Sequence, residues 1–241
     1  MKIYVGTSGY SYKEWKGTFY PEHISPKDML RFYAERVNAV EINNTFYRMP
    51  TRPVLATWSE QVPDDFVFAI KAPQVITHLK RLRNVGEETA YFFSTLPALG
   101  NKLGPVLFQF PPSFRANHPL LKDFLAFIPG STLCAFDFRN PTWFESDILE
   151  LLHEKGCSLC LEDTEEQPVD EIIRTASWGY IRLRRSGYAD ADLASWMEKI
   201  LVQKWDKAFI FFKHEGDSKG AELAMHFREL TDATRKRIKL R

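Results

Sequence analysis

The sequence predicts an α/β fold: a single (β/α)8 barrel of the TIM type, with residues 1–241 as one domain. Three observations predict it. Eight short apolar or alternating runs recur along the chain, and helical signals lie between most of them. The length of 241 residues is also close to the roughly 250 of a one-domain barrel. No low-complexity linker divides the chain, and no close internal repeat is visible.

The runs are residues 3–8, 39–43, 66–71, 106–110, 133–139, 158–163, 180–184 and 209–214. They are rich in Val, Ile, Phe, Leu and Tyr, which suit a pleated, half-buried surface. Ser25 and Pro26 read as the start of a helix carrying Met29, Phe32, Tyr33 and Val37 on one stripe. Asn117 or His118 precedes Pro119 and the apolar Leu120, Leu121, Phe124 and Phe127. Ser146 can cap a helix that stops at Gly156. Residues 193–205 and 221–230 are amphipathic. The gap between the sixth and seventh runs is short and is the weak unit. The tail with Arg235, Lys236, Arg237, Lys239 and Arg241 is expected to be a frayed, solvated end.

Composition narrows the partners. The net charge of +1 gives no global attraction to nucleic acid or membrane. No stretch approaches the roughly 20 apolar residues of a membrane span. The start, Met1-Lys2-Ile3-Tyr4-Val5, lacks the apolar core of a signal peptide. Three cysteines form no disulfide pattern, so the expected location is cytoplasmic. Cys157 and Cys160 stand three apart on a strand, hence on opposite faces, and read as buried thiols rather than half a zinc site. Walker, Gly-x-Gly-x-x-Gly, Gly-x-Ser-x-Gly and His-Glu-x-x-His motifs are absent.

In this fold the site lies where the strands finish. The strand endings are polar: Glu41 and Asn43, Lys71, Gln109, Asp137 and Arg139, Glu162 and Asp163, Arg182 and Arg184, then Lys213 and His214. Residues two apart on a strand share a face, so Glu41/Asn43, Asp137/Arg139 and Arg182/Arg184 each point one way. An unpaired buried charge is costly, so these groups are expected to converge and pair. Glu41 and Lys71 are expected in one pocket. Asp137 is expected to pair with one arginine. The alternative is that Glu162 and Asp163 satisfy the arginines and no anion is needed.

Cations outnumber carboxylates in this set, which favours an anionic ligand. The loops with Arg184-Arg185-Ser186-Gly187 and Glu215-Gly216-Asp217-Ser218-Lys219-Gly220 have the small residues, amides and cations a phosphate needs. Aromatics crowd other loops: Tyr10, Tyr12, Trp15, Phe19 and Tyr20, then Phe46 and Tyr47, then Trp143 and Phe144. They either stack on a ligand or pack the loops down. His78 and His214 lie nearest the strand ends. A divalent metal is not favoured, because no tight ligand motif is present and the cations oppose one.

These residues carry a resemblance. Gly6-Thr7-Ser8-Gly9-Tyr10-Ser11-Tyr12, Val40-Glu41-Ile42-Asn43-Asn44-Thr45-Phe46-Tyr47, Phe68-Ala69-Ile70-Lys71-Ala72 and Gly104-Pro105-Val106-Leu107-Phe108-Gln109-Phe110-Pro111-Pro112 resemble segments of the YecE-like family, domain of unknown function 72. The resemblance implies a TIM-type barrel and supplies no activity. The second half departs from the family pattern. Asp137-Phe138-Arg139-Asn140 stands for Glu-Phe-Arg-His, Arg182-Leu183-Arg184-Arg185 for Arg-Leu-His-Gly, and Phe212-Lys213-His214 for Phe-Asn-Asn. An arginine and a lysine are gained where two histidines and an asparagine are lost.

The resulting expectation is an enzyme acting on a phosphorylated or otherwise anionic small molecule or nucleotide. Glu41, Lys71, Asp137 and His214 would be its acid, base and electrostatic groups. Asn43, Tyr47, Gln109, Arg139, Arg182, Arg184 and Lys213 would bind substrate. The alternatives are a nucleic-acid-binding protein with repair-type nuclease chemistry and a non-catalytic scaffold.

Overall fold

The computed structural model describes residues 1–213 and 217–239. Eight strands follow one another in chain order around a closed parallel barrel. They are β1 (Lys2–Ser8), β2 (Ala39–Ile42), β3 (Val67–Lys71), β4 (Leu103–Gln109), β5 (Cys134–Asp137), β6 (Ser158–Asp163), β7 (Trp178–Leu183) and β8 (Lys207–Phe212). The helices are α1 (Met29–Ala34), α2 (Asn44–Tyr47), α3 (Arg52–Glu60), α4 (Gly86–Thr95), α5 (His118–Leu125), α6 (Ser146–Glu154), α7 (Asp190–Leu201) and α8 (Lys219–Lys239). The fold class expected from the eight runs is the one found.

Packing divides the chain into two units: Met1–Glu41, Leu161–Ile172 and Ser177–Arg241 in the first, Ile42–Cys160 and Ile173–Ala176 in the second. In the first, β1 lies between β2 and β8, and β8 pairs with β7. Tyr33 of α1 ties this sheet to its helix. Its hydroxyl accepts the Thr7 N–H at 2.8 Å and donates to the Ala39 carbonyl at 3.0 Å. Gly6 is required there, because a Cβ would fall 1.8 Å from the Ala39 oxygen. Trp15, Phe19 and Tyr20 are buried against one another and against Phe32 and Tyr33, so these loop aromatics pack the loop down.

In the second unit, β4 pairs with β3 and β5, and β5 with β6. Strand alternation sends Phe108 and Phe136 one way, stacked 5.3 Å apart and meeting Phe124 of α5. Gln109 and Asp137, directly paired in register, then turn to the opposite face. Trp143 stacks on Phe138 at 4.4 Å and is fully buried.

Local chemistry explains where the elements depart from expectation. Asn117 caps α5 as read, accepting the Leu120 N–H at 3.0 Å, and α6 ends ahead of Gly156, at φ 67°. By contrast, α1 begins at Met29, not at Pro26. Ser25 spends its hydroxyl on the Asp28 carboxylate at 2.9 Å and forms a turn instead of a cap. The short gap after β6 holds no helix, as its length implied. The tail expected to fray is helical as far as Lys239, with no glycine or proline after Gly220 to stop α8, and Arg241 lies outside the described residues. Cys134, Cys157 and Cys160 are buried and form no disulfide with one another, and burial pushes the Cys157 thiol up to about 12. No helix among the described residues is long and apolar enough to cross a membrane.

Candidate functional site

The first unit carries a closed ionic network at its strand ends. Glu41 is fully buried. It accepts the Tyr180 hydroxyl at 2.7 Å and the Arg182 Nη2 at 3.0 Å. Arg182 also donates through Nη1 to Glu162 at 3.3 Å. Glu162 meets Arg184 Nε at 3.1 Å, and Arg184 Nη1 reaches Ser8 Oγ at 3.4 Å. Tyr180, Arg182 and Arg184 are spaced by two along β7 and its exit, so alternation puts all three on one face. A buried charge persists only when paired, and here each charge has an opposite neighbour.

This arrangement corrects two expectations. Glu41 was expected to act as a general base, but a base must reach its proton, and Glu41 is sealed between Tyr180 and Arg182. Arg182 was expected to hold an anionic ligand, but it is buried and committed to two carboxylates. Glu162 takes up both β7 arginines, which was the alternative to an anion.

Asp163, also fully buried, holds the loop beyond β7. It accepts Arg185 Nη2 at 2.9 Å, the Tyr188 hydroxyl at 2.8 Å and the Val169 N–H at 3.0 Å. That fixes Arg185 at the wall of a cleft of about 260 Å³, whose lining includes Ser186, Lys213, Asp217, Lys219 and Gly220. Among the described residues, three cations and one carboxylate line this space. Asp217 is engaged as a cap, its Oδ1 accepting the Lys219 N–H at 3.1 Å. Lys219 is exposed and has no carboxylate partner among the described residues. Its ammonium packs over Gly187, where a Cβ would fall 2.9 Å away. Outside the lining, the Ser186 N–H donates to Glu165 Oε1, which holds that carboxyl below its ordinary range. His214 lies outside the described residues.

The second unit carries an open relay. Lys71 Nζ donates to Gln109 Oε1 at 2.7 Å, and Gln109 Nε2 donates to Asp137 Oδ2 at 2.6 Å. Arg139 Nε donates to Asp137 Oδ1 at 3.1 Å, so Asp137 does pair with one arginine. Gln109 therefore orients, passing one carboxylate's pull to Lys71. The Lys71 ammonium also sits 4.3 Å from the centroid of the Phe46 ring. Asn43 begins α2, where its carbonyl accepts the Phe46 N–H at 3.1 Å. Tyr47 is 76% exposed and meets Phe46 edge-on, so it is a rim group and not a packed one. Glu41 belongs to the first unit and Lys71 to the second.

Sequence reasoning missed the parts played by Tyr180 and Ser8. The two-residue spacing to Arg182 could have flagged Tyr180; that of Ser8 depends on a neighbouring strand.

A family model described as a protein of unknown function, DUF72, matches residues 4–241. The chain belongs to the DUF72 family. Among curated relatives, the UPF0759 protein YecE of Escherichia coli K12 is 29% identical over 184 residues, covering 72% of this chain and 65% of the relative. The UPF0759 protein YunF of Bacillus subtilis is 31% identical over 160 residues, 61% of this chain and 54% of the relative. The chain thus spans less than two thirds of the length of these relatives. A solved DUF72 structure from Thermotoga maritima has 26% identity and a TM-score of 0.83, over 96% of this chain and 100% of that one. Another from Enterococcus faecalis, at 20% identity and TM-score 0.74 over 96% and 98%, shares the fold. The family resemblance read from the first four segments is therefore correct.

Proposed function

We propose that this protein is an enzyme acting on a phosphorylated small molecule whose phosphate seats in the cleft beyond β7 and β8. The observation that carries the reading is the convergence there of Arg185, Lys213 and Lys219 with the first turn of α8. The positive end of a helix favours an anion at such a terminus. At about 260 Å³ the cleft suits a compact head group better than a drug-sized ligand. Arg185 offers a planar fork already steadied by Asp163, so little of its freedom is lost on binding. Lys219 supplies a mobile point charge. The anion-binding role expected of Arg182 and Arg184 passes to these residues.

The test is a thermal-shift titration with inorganic phosphate, sugar phosphates and nucleotides, on the wild type and on Lys219→Ala. A ligand that binds the folded state raises the melting temperature by mass action. Phosphate-bearing compounds should raise it in the wild type. Lys219→Ala should weaken them by roughly 1.5–3 kcal/mol with the fold unchanged. Equal affinity in both proteins would remove the reading's main support.

A further inference from the structure

We propose that His78 is a catalytic base that removes a proton from carbon beside a carbonyl group, with Lys71 as the cation that receives the charge developing on the carbonyl oxygen. The inference concerns the second unit alone and does not depend on the phosphate cleft.

The backbone presents His78 in an unusual way. After β3 the chain makes a π-helical turn, Val75–Leu79, in place of an α-helical one. Such turns recur at functional sites because they re-aim a side chain. Arg81, Leu82 and Asn84 follow with φ of 49°, 66° and 51°, a left-handed conformation that non-glycine residues adopt only where the surroundings impose it.

The same turn sets a hydroxyl against the imidazole. Thr77 Oγ1 lies 3.5 Å from the Pro73 carbonyl and 3.0 Å from His78 Nδ1. The hydroxyl has one proton: given to the Pro73 carbonyl, it leaves a lone pair that accepts from Nδ1–H, the arrangement the proposed chemistry requires. The lone pair of the imidazole is then on Nε2, which has no partner among the described residues. The ring is half-buried and stands edge-to-face with Phe46, centroids 4.8 Å apart. Lys71 Nζ is 4.3 Å from the centroid of that same ring. One aromatic side chain thus holds a base and a cation, each within 5 Å of its centre.

The charges around His78 keep it a base. Partial burial and the cations Lys71, Arg81 and Arg139 lower its proton affinity, and Asp137 opposes them. Gln109 and Asp137 are positioning residues: they hold the Lys71 ammonium by the bonds already described.

In the proposed step the substrate C–H bond breaks and its proton bonds to Nε2. The C–H electron pair becomes the carbon–carbon double bond of an enolate, and the carbonyl π pair moves to oxygen, beside Lys71. The imidazolium returns its proton, or a deuteron gained from solvent, to the same carbon as the carbonyl re-forms. No oxidant or reductant is needed.

The experiment follows solvent deuterium entering the C–H positions of dihydroxyacetone and dihydroxyacetone phosphate in D2O by proton NMR. Wild type should exchange at least one of them faster than buffer does. His78→Gln should slow that exchange by about 100-fold or more, the usual scale for a general base. Lys71→Met should slow it too, and the surface variant His153→Gln should not. No protein-dependent exchange on either ketone, or exchange unchanged in His78→Gln, would overturn the proposal. Nitrogen NMR of the wild-type imidazole gives a check that needs no variant to fold. An unprotonated Nε2 is expected above the ring's pKa, and Thr77→Val should lower its population. A dominant Nε2–H form in the wild type would equally overturn the assignment.

Discussion

Arg182 and Arg185 lie three residues apart at the end of the same strand, yet they face opposite circumstances. Arg182 is buried between Glu41 and Glu162, and both its terminal nitrogens are committed. Arg185 is anchored by Asp163 on one side while its surroundings open into the cleft with Lys213 and Lys219. The difference teaches that a cation's place in the barrel does not decide whether it can hold a ligand. The number of carboxylates within reach decides it.

The comparison breaks most readily at Arg182. Arg182→Ala should lower the free energy of unfolding by about 3–5 kcal/mol, because Glu41 would keep its burial and lose its counter-charge. Urea denaturation followed by circular dichroism measures it. A loss below about 1 kcal/mol would mean that the network is as adaptable as a surface pair, and the contrast with Arg185 would fail.

A smaller effect sharpens the other side. Glu165 places a carboxylate at the Ser186 N–H, close enough to Lys213 to feel its charge. Glu165→Ala should free that donor and remove a competing negative charge. Phosphate affinity, read by isothermal titration calorimetry, should then rise a few-fold. Unchanged or weaker binding would place the anion elsewhere.

The smallest expected effect is in pH dependence. His78 has a lowered proton affinity in the folded protein, so below the ordinary histidine range the unfolded chain binds more protons there than the folded one. The stability that goes with the neutral ring is present above about pH 6.5 and is lost as the pH falls through the folded value. Melting temperatures between pH 7.5 and 5 should therefore fall less steeply in His78→Gln than in wild type. An identical slope would mean that the cations around His78 are fully screened.

The barrel was legible because its signal is local. A run such as Val-Leu-Phe-Gln-Phe shows its period and its polar ending without reference to any other part of the chain. The polar faces were legible for the same reason: Arg182 and Arg184 must point one way once they are on a strand. Which carboxylate each arginine meets is not a local property. It depends on the neighbouring strand's register and on side-chain length, and neither is written in β7 itself. Helix starts failed for a related reason. Ser25 has the right chemistry for a cap, but Asp28 competes for its hydroxyl at equally short range. The contact between His78 and Thr77 was hidden because a π turn has no sequence pattern as simple as strand alternation.

Glu162 accepts from both Arg182 and Arg184, so four charged residues, two of each sign, form one neutral chain. Such a chain is a source of epistasis. In a saturation library, losing one member strands a charge that the others cannot all absorb, so single variants will score as intolerant at every position. Paired replacements such as Glu41→Gln with Arg182→Met remove one charge of each sign and should score far better than either alone. Directed evolution of this barrel will therefore find a stalled landscape at these positions when it takes single steps, and a passable one when it takes two.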